Sequence, residues 1–546
     1  MICNVLLMNQ RLNKMFNFRS YLKYIDLRSL FLSLLAVVTL FLLNGHYGYN
    51  MWDEGYQWDG VQRVMSGEIP IRDFMAYDPG RYYLSAWLMR LWGDNGLVSF
   101  RLTIAIIQFI TIYFALILVV NNSARQNLLF MTLATLTLLV WCRGYDQLSP
   151  IILLASLTYL VKKPCVYRYF LAGIWVGFAA FIGRNHGVYG LVGSLATMMY
   201  LAIRQEHSVS LVKSLLILTA GIIIGYLPIL LMIAFVPNFF SAFWDSITVL
   251  FELKATNLPL NIPWPWTFSY NFQMTSAALR GPIIGIFMIG LVIYILAGIF
   301  WIFVLRVTNK PKLPVLVASV FTVLPYTHYV FSRADLPHLA NSVAPFIVVC
   351  LLLITMQSTK IKWWLLFFVF SVSIFEYLPS YPRWQCLGSG GQKCVETDIG
   401  NDKIMVTPRV ANDLFFVKRL IQSHAPKGQN FLVVPFWPGV YPALDRKNPM
   451  LELYALVPQN NAFQQAEIER IKAANIGFVL IVDIMLDDRP DMLYQNTHPL
   501  IYEYIKNNFQ RLNKLQDYNT YNYQLYKSKQ RIVISQQNPL YDDVNL

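Results

Sequence analysis

Charge is what this sequence has least of. Of its 546 residues, 14% are Asp, Glu, Lys or Arg, while 56% are hydrophobic. So thin a charged fraction excludes an ordinary soluble domain, about a quarter of which is charged. Cysteine is scarce as well: there are six, and the scattered ones show no metal-ligand spacing. Nothing has the H-E-x-x-H arrangement of a zinc protease. No internal repeat is visible, which disfavours the paired halves of many secondary transporters. The formal charge is 44 − 30 = +14, yet no nucleic-acid-binding signature accompanies it, so no nucleic-acid partner is expected. Membrane proteins gather Lys and Arg in cytoplasmic loops, and that explains the excess.

What the sequence has in abundance is long apolar runs. The first begins at Ser29, "SLFLSLLAVVTLFLLNGHYGY". It lacks a small-residue cleavage site and is long enough to stay as an anchor. Backbone groups in lipid must bond within their own segment, so such runs are helices. About eleven spans follow by hydropathy: near 29–48, 98–120, 127–142, 149–161, 169–183, 187–203, 214–236, 282–305, 314–330, 340–356 and 363–379. Threaded in this way, the basic tail 1–28 lies inside with Lys162, Lys163, Arg168, Arg204, Lys213, Arg306, Lys310, Lys312, Lys360 and Lys362. Four unusual polar clusters all fall outside: "WDEG", "GYDQ", "GRNHG" and "SRADLPH". The fold class is therefore an α-helical multi-pass membrane protein, 29–380, with a C-terminal soluble α/β domain, 381–546, on the outer side. In that domain, helices are expected over 408–424 and 464–475, with strands over 430–436 and 477–483 and a weakly alternating stretch over 519–528. Cys386 and Cys394 both lie outside, where either a disulfide or two free thiols fits.

The first outer segment, 49–96, is too rich for a connector. "YQWDGVQRVMSG" and "GRYYLSAWLMRLWG" each read as an amphipathic helix lying in the interface plane, with "YDPG" as a turn between them. The segment 237–280 contains "LNIPWPWTF", where Pro259, Pro263 and Pro265 forbid a regular helix. Trp264 and Trp266 fit an interfacial belt there, or a mobile loop gating lipid entry.

A transmembrane helix, the acidic pair Asp53–Glu54, then "SGEIPIRDF" and "PGRYYLSAWL" occur here in that order. This resembles the polyprenyl-phosphate-sugar-dependent glycosyltransferases of the GT-C superfamily, close to the protein O-mannosyltransferase and lipid A aminoarabinose transferase group. The tail stretch "VVPFWPGVYPALDRKNPMLEL" also resembles outer domains of bacterial members. The resemblance implies a catalytic acid in the first outer loop, a polyprenyl-phosphate sugar as donor, and a glycan, lipid or protein as acceptor. It implies a bacterial inner membrane, with the N-terminus cytoplasmic and the C-terminal domain periplasmic. Some relatives use a divalent cation and others do not, so no cofactor or metal is expected as a requirement.

That chemistry sets requirements for side chains. An acceptor hydroxyl is a poor nucleophile, and a carboxylate that takes its proton contributes about 10²–10⁴-fold. The leaving group is a phosphate, already a stable anion, and needs cations or hydrogen-bond donors. By motif match Asp53 is the base, with the adjacent Glu54 holding a loop or a cation. The bland alternative for Asp53 is a helix N-cap. Asp73 and Asp78 are further acidic candidates, Asp78 reading as a turn residue. Asp146 in "RGYDQLSP" either lines the site or caps a helix before Pro150. For the phosphate, Arg333 in "SRADLPH" either pairs with Asp335 or holds the lipid phosphate, with His338 beside it. Arg81, Arg184 and His186 follow; a lone Arg at an interface often only snorkels to headgroups. Rival functions are a transporter or flippase of lipid-linked sugars, an assembly protein, and an O-antigen polymerase or ligase.

Overall fold

The computed structural model describes residues 26–123, 126–204, 209–253, 257–268, 275–308, 313–387, 393–425, 428–512 and 522–529. Most of the basic N-terminal tail, with Lys310 and Lys312, lies outside the described residues. The chain forms two compact units. The helical unit takes the chain up to Asn50 and then Gln57–Ala411; the second unit takes Met51–Tyr56 and Asn412 onward.

The helical unit is built of apolar helices. Among the described residues seven are long and apolar enough to cross a membrane: Leu27–Asn44, Leu97–Val120, Arg184–Ile203, Ala278–Val304, Pro314–Ser332, Leu336–Thr355 and Thr359–Ser380. Leu128–Trp141 and Val166–Ile182 are apolar but shorter, and Tyr145–Lys162 is packed among them. The expected span 214–236 is two helices, Leu211–Gly225 and Leu227–Phe235, bent by 58°. Pro228 explains the break: it has no N–H to give and its ring clashes with the carbonyl one turn back. The expected loop 237–280 also contains a helix, Phe239–Leu253, ahead of the proline-rich stretch. The proline argument holds beyond it, where only a short 3₁₀ turn forms at Pro265–Thr267 and Trp264 stacks on Trp266.

Burial ranks the helices. Leu336–Thr355 is almost wholly enclosed, with Val343, Val348 and Leu351 inaccessible, whereas Thr359–Tyr377 and Ser276–Thr308 turn Trp364, Phe368 and Phe300 outward. Such exposed apolar side chains suit a hydrocarbon surround. Trp141, fully buried, donates its indole N–H to Ser373 Oγ at 2.8 Å and so ties two helices together. The tightest crossing is made without bulk. "GIWVG" (173–177) faces "GIIIG" (221–225): a Cβ added at Gly173 would lie 2.2 Å from Leu218 O, and one at Gly225 2.1 Å from Ile174 O. Small residues spaced by four let two helix backbones touch where no hydrophobic driving force separates helix from lipid.

Both helices expected in the outer segment form, as Asp53–Met65 and Pro79–Trp92. Arg101 fastens the end of the first span by donating to the carbonyls of Gly45 (2.8 Å), Tyr47 (3.1 Å) and Gly48 (2.7 Å). The hairpin of β1 (Val395–Ile399) and β2 (Asp402–Val406) belongs to this unit. Met405 bridges Tyr47, and Asp402 accepts the Val98 N–H at 2.9 Å. Cys386 and Cys394 form a disulfide just before it.

The second unit is α/β. Its sheet runs β3 (Asn430–Val434), β4 (Ile476–Asp483), β6 (Asn522–Ser528), β5 (Phe509–Arg511). β3 and β4 are parallel, with Leu432 opposite Val479, and the other pairs are antiparallel. The parallel pair needs a crossover, and Asn461–Ala473 is the helix within it. Ile468, Ile471, Ile501 and Ile505 from two helices pack with Leu432, Val479 and Ile481 of the sheet. The helix Pro499–Asn508, which buries Ile501 and Ile505 one turn apart, and strand β5 are additions to the elements expected from the sequence.

Candidate active site

Within the helical unit, three joints between consecutive helices carry the polar clusters. Each joint is short, so its residues sit at a helix end, where backbone groups and side chains are both open to a ligand. At the first joint, Gln147 caps the helix Tyr145–Lys162, its Oε1 accepting the Gly144 N–H at 3.0 Å. The capping alternative for Asp146 therefore falls away. Asp146, in the first turn, points elsewhere: its Oδ1 accepts from Arg81 Nη2 at 3.1 Å and lies 3.2 Å from His186 Nε2. A carboxylate only accepts, so Nε2 carries the hydrogen.

Arg81 sits in the first turn of Pro79–Trp92, is buried, donates also to Ile182 O at 3.3 Å, and lies over the Tyr77 ring at 4.8 Å. Burial works against its charge, but the Asp146 carboxylate outweighs it and raises the guanidinium above its ordinary value. His186 is fully buried, with Nδ1 3.0 Å from the Tyr326 hydroxyl. Its ring stacks on Tyr329, which stacks in turn on His338. An unbroken line of side chains thus runs from Arg81 to His338.

At the second joint Arg184 opens the helix Arg184–Ile203. Its Nε donates to Asp78 Oδ1 at 2.9 Å, its backbone N–H to Asp78 Oδ2 at 2.7 Å, and its Nη1 to Ser246 Oγ at 3.1 Å. Asp78 is thus more than the turn residue the sequence suggested: it precedes Pro79 and reaches across to another helix end. Only the recurrence of an acid just before a proline-led helix, "DPG" and "DLPH", hinted at it.

At the third joint Arg333 does what the pairing alternative required. Its Nε donates to Asp335 Oδ2 at 2.7 Å and its Nη1 to Leu258 O at 3.0 Å. Asp335 caps the helix Leu336–Thr355, accepting the His338 N–H at 2.9 Å, and its Oδ1 lies 2.6 Å from His338 Nδ1. Burial pushes the Asp335 carboxyl up, but His338 and Arg333 outweigh it and hold it below its ordinary range. Asp73, the remaining acid of the outer loop, is taken up locally by Arg72 and by the Ile69 N–H.

The structure therefore brings Arg81, Asp146, His186 and His338 into one network and places Arg184 and Arg333 on neighbouring carboxylates. It adds Tyr326 and Tyr329, which the sequence reading had not named, and gives Asp78, named there as an acidic candidate reading as a turn residue, a partner in Arg184. Asp53 and Glu54 occupy the first turn of Asp53–Met65, Asp53 exposed, and belong to the second unit. Among the described residues no group of three or more His, Cys, Asp or Glu side chains is placed to hold a metal ion.

No known family model matches the sequence, and no curated protein matches it. Among solved structures, the chain is similar to ArnT from Cupriavidus metallidurans bound to undecaprenyl phosphate, at 11% identity and a TM-score of 0.49, over 91% of this chain and 97% of that one. It is similar to the apo oligosaccharyltransferase of Archaeoglobus fulgidus at 12% identity and a TM-score of 0.43, over 84% of this chain and 69% of that one. A third likeness is to the oligosaccharyltransferase AglB of the same organism, in complex with an inhibitory peptide and a dolichol-phosphate, at 12% identity and a TM-score of 0.44, over 83% and 69%.

Proposed function

We propose that this chain is a membrane glycosyltransferase that moves a sugar from a polyprenyl-phosphate donor to an acceptor on the extracytoplasmic side. In the reaction, the acceptor oxygen bonds to the anomeric carbon. The bond from that carbon to the phosphate oxygen breaks, its electron pair leaving on the polyprenyl phosphate. The acceptor proton passes to the carboxylate of Asp53. The observation that carries the reading is the set of three Arg–Asp pairs and two histidines at the helix joints of an apolar bundle. Ionisable groups at the edge of such a bundle are costly and mark substrate contact by default.

Arg184 is the best-placed phosphate ligand of the set. It is a quarter exposed, and its donors to Asp78 and Ser246 do not exhaust a guanidinium's five N–H groups. Arg81 is nearly enclosed and is better suited to hold Asp146 and the joint in register. Arg333 and His338, both paired with Asp335, offer a second set of N–H donors. Glu54 remains a neighbour of the base with no separate role assigned.

The test supplies purified protein in nanodiscs with a panel of polyprenyl-phosphate sugars and a mixed set of acceptors, and follows release of the free lipid phosphate. Wild type releases it from at least one donor, and Asp53→Asn reduces that release by about 10²-fold or more. No release from any donor overturns the transferase reading. Transport is the second reading, favoured by the bent helix pair Leu211–Gly225 and Leu227–Phe235, since broken spans are common in transporters. It predicts movement of intact lipid-linked sugar across a vesicle membrane with no lipid phosphate released.

A further inference from the structure

The dipeptide Asp53–Glu54 lies in a hexapeptide, Met51–Tyr56, that packs with the C-terminal unit although the chain reaches that unit some 350 residues later. The packing has a definite structure. Trp52 and Tyr56 bracket the acidic pair, and the Tyr56 N–H donates to Trp52 O at 2.8 Å, so both lie on one side of the same helical turn. Trp52 stacks on Phe436, ring centroids 4.6 Å apart at an interplanar angle of 24°. Tyr56 meets Tyr454 at 5.8 Å, and Tyr454 meets Phe436 edge-on at 6.2 Å. The four rings form a continuous chain, Trp52–Phe436–Tyr454–Tyr56. Just ahead of it the Gly439 N–H donates to Met51 O at 2.9 Å.

The C-terminal half of this clamp is stiff. Phe436 follows strand β3, and the Ala455 N–H donates to Pro435 O at 3.1 Å, which joins the two ring-bearing stretches. Trp437, fully buried, packs edge-on against Tyr523 of β6 at 5.6 Å. The Val433 N–H donates to the Tyr441 hydroxyl at 2.9 Å. Phe436, Tyr441 and Tyr56 are buried and Trp52 is half-buried, whereas Asp53, between Trp52 and Tyr56 in the chain, is exposed. An exposed carboxylate on a turn whose flanking rings are locked has few positions open to it, and reactions that depend on placement lose about 10²-fold for a misplacement near 1 Å.

We propose that the C-terminal unit is a positioning element of the catalytic apparatus: Phe436 and Tyr454 grip Trp52 and Tyr56 and so fix where the Asp53 carboxylate stands. This rests on the reading of Asp53 as the base. The C-terminal unit on this account serves the chemical step itself, beyond any role in binding an acceptor. Phe436 and Tyr454 touch no reacting atom; they act through the turn they hold.

The test compares wild type, Phe436→Ala, Phe436→Tyr, Tyr454→Ala and Asp53→Asn as full-length protein in nanodiscs. Two readouts are taken: hydrogen exchange of peptides covering 51–56, and the kinetics of lipid-phosphate release. Phe436→Ala and Tyr454→Ala are expected to speed exchange in 51–56 about tenfold or more while peptides from β3 and β4 stay protected, which shows the domain still folded. In both variants kcat falls about 10- to 100-fold with the donor KM changed less than about threefold, because placement of a base acts on the chemical step. Phe436→Tyr, which keeps the ring, restores both readouts to within about threefold of wild type. Unchanged exchange in 51–56 overturns the clamp. Faster exchange with unchanged kcat, while Asp53→Asn is inactive, overturns the positioning role. An Asp53→Asn variant as active as wild type overturns the reading of Asp53 as base, and with it the catalytic half of the proposal, whatever the exchange shows.

Discussion

Arg81 Nη2 and His186 Nε2 converge on the same oxygen of Asp146, at 3.1 and 3.2 Å. The three residues come from the first turns of three helices, Pro79–Trp92, Tyr145–Lys162 and Arg184–Ile203, so one carboxylate oxygen joins three elements that share no local sequence. Removing that charge leaves a buried guanidinium facing an uncharged amide.

Asp146→Asn is therefore expected to destabilise the protein by about 2–4 kcal/mol, since breaking a buried ion pair strands the surviving charge. The Asp146 side chain is one-third exposed, which argues for the lower end. The thermal midpoint of the purified protein measures it. Arg81→Lys is expected to fall between wild type and Asp146→Asn, because an ammonium cannot reach Asp146 and Ile182 O as a fork does.

Arg184→Lys should raise the KM for the lipid-linked donor about tenfold, a loss of about 1.4 kcal/mol. The kcat should stay within about threefold, because Lys keeps the charge but not the planar set of donors. Steady-state kinetics of lipid-phosphate release reads both numbers. A KM unchanged by the substitution would move the phosphate to another cation.

Acid should weaken the third joint in a defined direction. The Asp335 carboxyl is held below its ordinary range by His338 and Arg333 against the push of burial. A carboxyl depressed in the folded state contributes stability above its unfolded value, about 3.9. That contribution is lost as pH falls through the folded value. Wild type should thus lose thermal stability between pH 5 and pH 2.5 more steeply than Asp335→Asn, which has no such proton to take up. Parallel curves for the two proteins would contradict this.

The Gly–Gly crossing leaves no room for a methyl group. A Cβ at Gly177 would sit 2.2 Å from Ile222 O, a backbone atom that cannot swing away. Gly177→Ala is expected to cost about 1–3 kcal/mol by overpacking, read as a lower thermal midpoint. Gly290→Ala, in another apolar helix, is the control, because nothing lies within 4 Å of a Cβ added there.

Much of the architecture was legible because membrane helices carry their signal locally. Lipid demands an apolar side-chain surface and internally satisfied backbone over each span, so runs such as 97–120 and 336–355 announce themselves. The outer helices Asp53–Met65 and Pro79–Trp92 were legible for the same reason, through aromatic and aliphatic residues at helical spacing. The break at Gly225–Tyr226 was less so: Pro228 marks it, but hydropathy averages across it. The helix Phe239–Leu253 has clear helical spacing of its apolar residues, but the prolines at 259, 263 and 265 make the longer segment 237–280 read as a loop.

The site divides the same way. The sequence by itself determined which residues are unusual: Arg81, Asp146, Arg184, Arg333 and His338 each interrupt or flank an apolar run, and desolvation makes such residues conspicuous wherever they fall. Only the tertiary structure decided their partners. Asp78 meets Arg184 across 106 positions of sequence and Arg81 meets Asp146 across 65. The turn carrying Asp53 joins a unit whose other residues begin at Asn412. Hydropathy and helical periodicity report what one segment needs from its surroundings. They hold no information on which distant segment supplies it, because that choice is made by how whole helices and sheets pack.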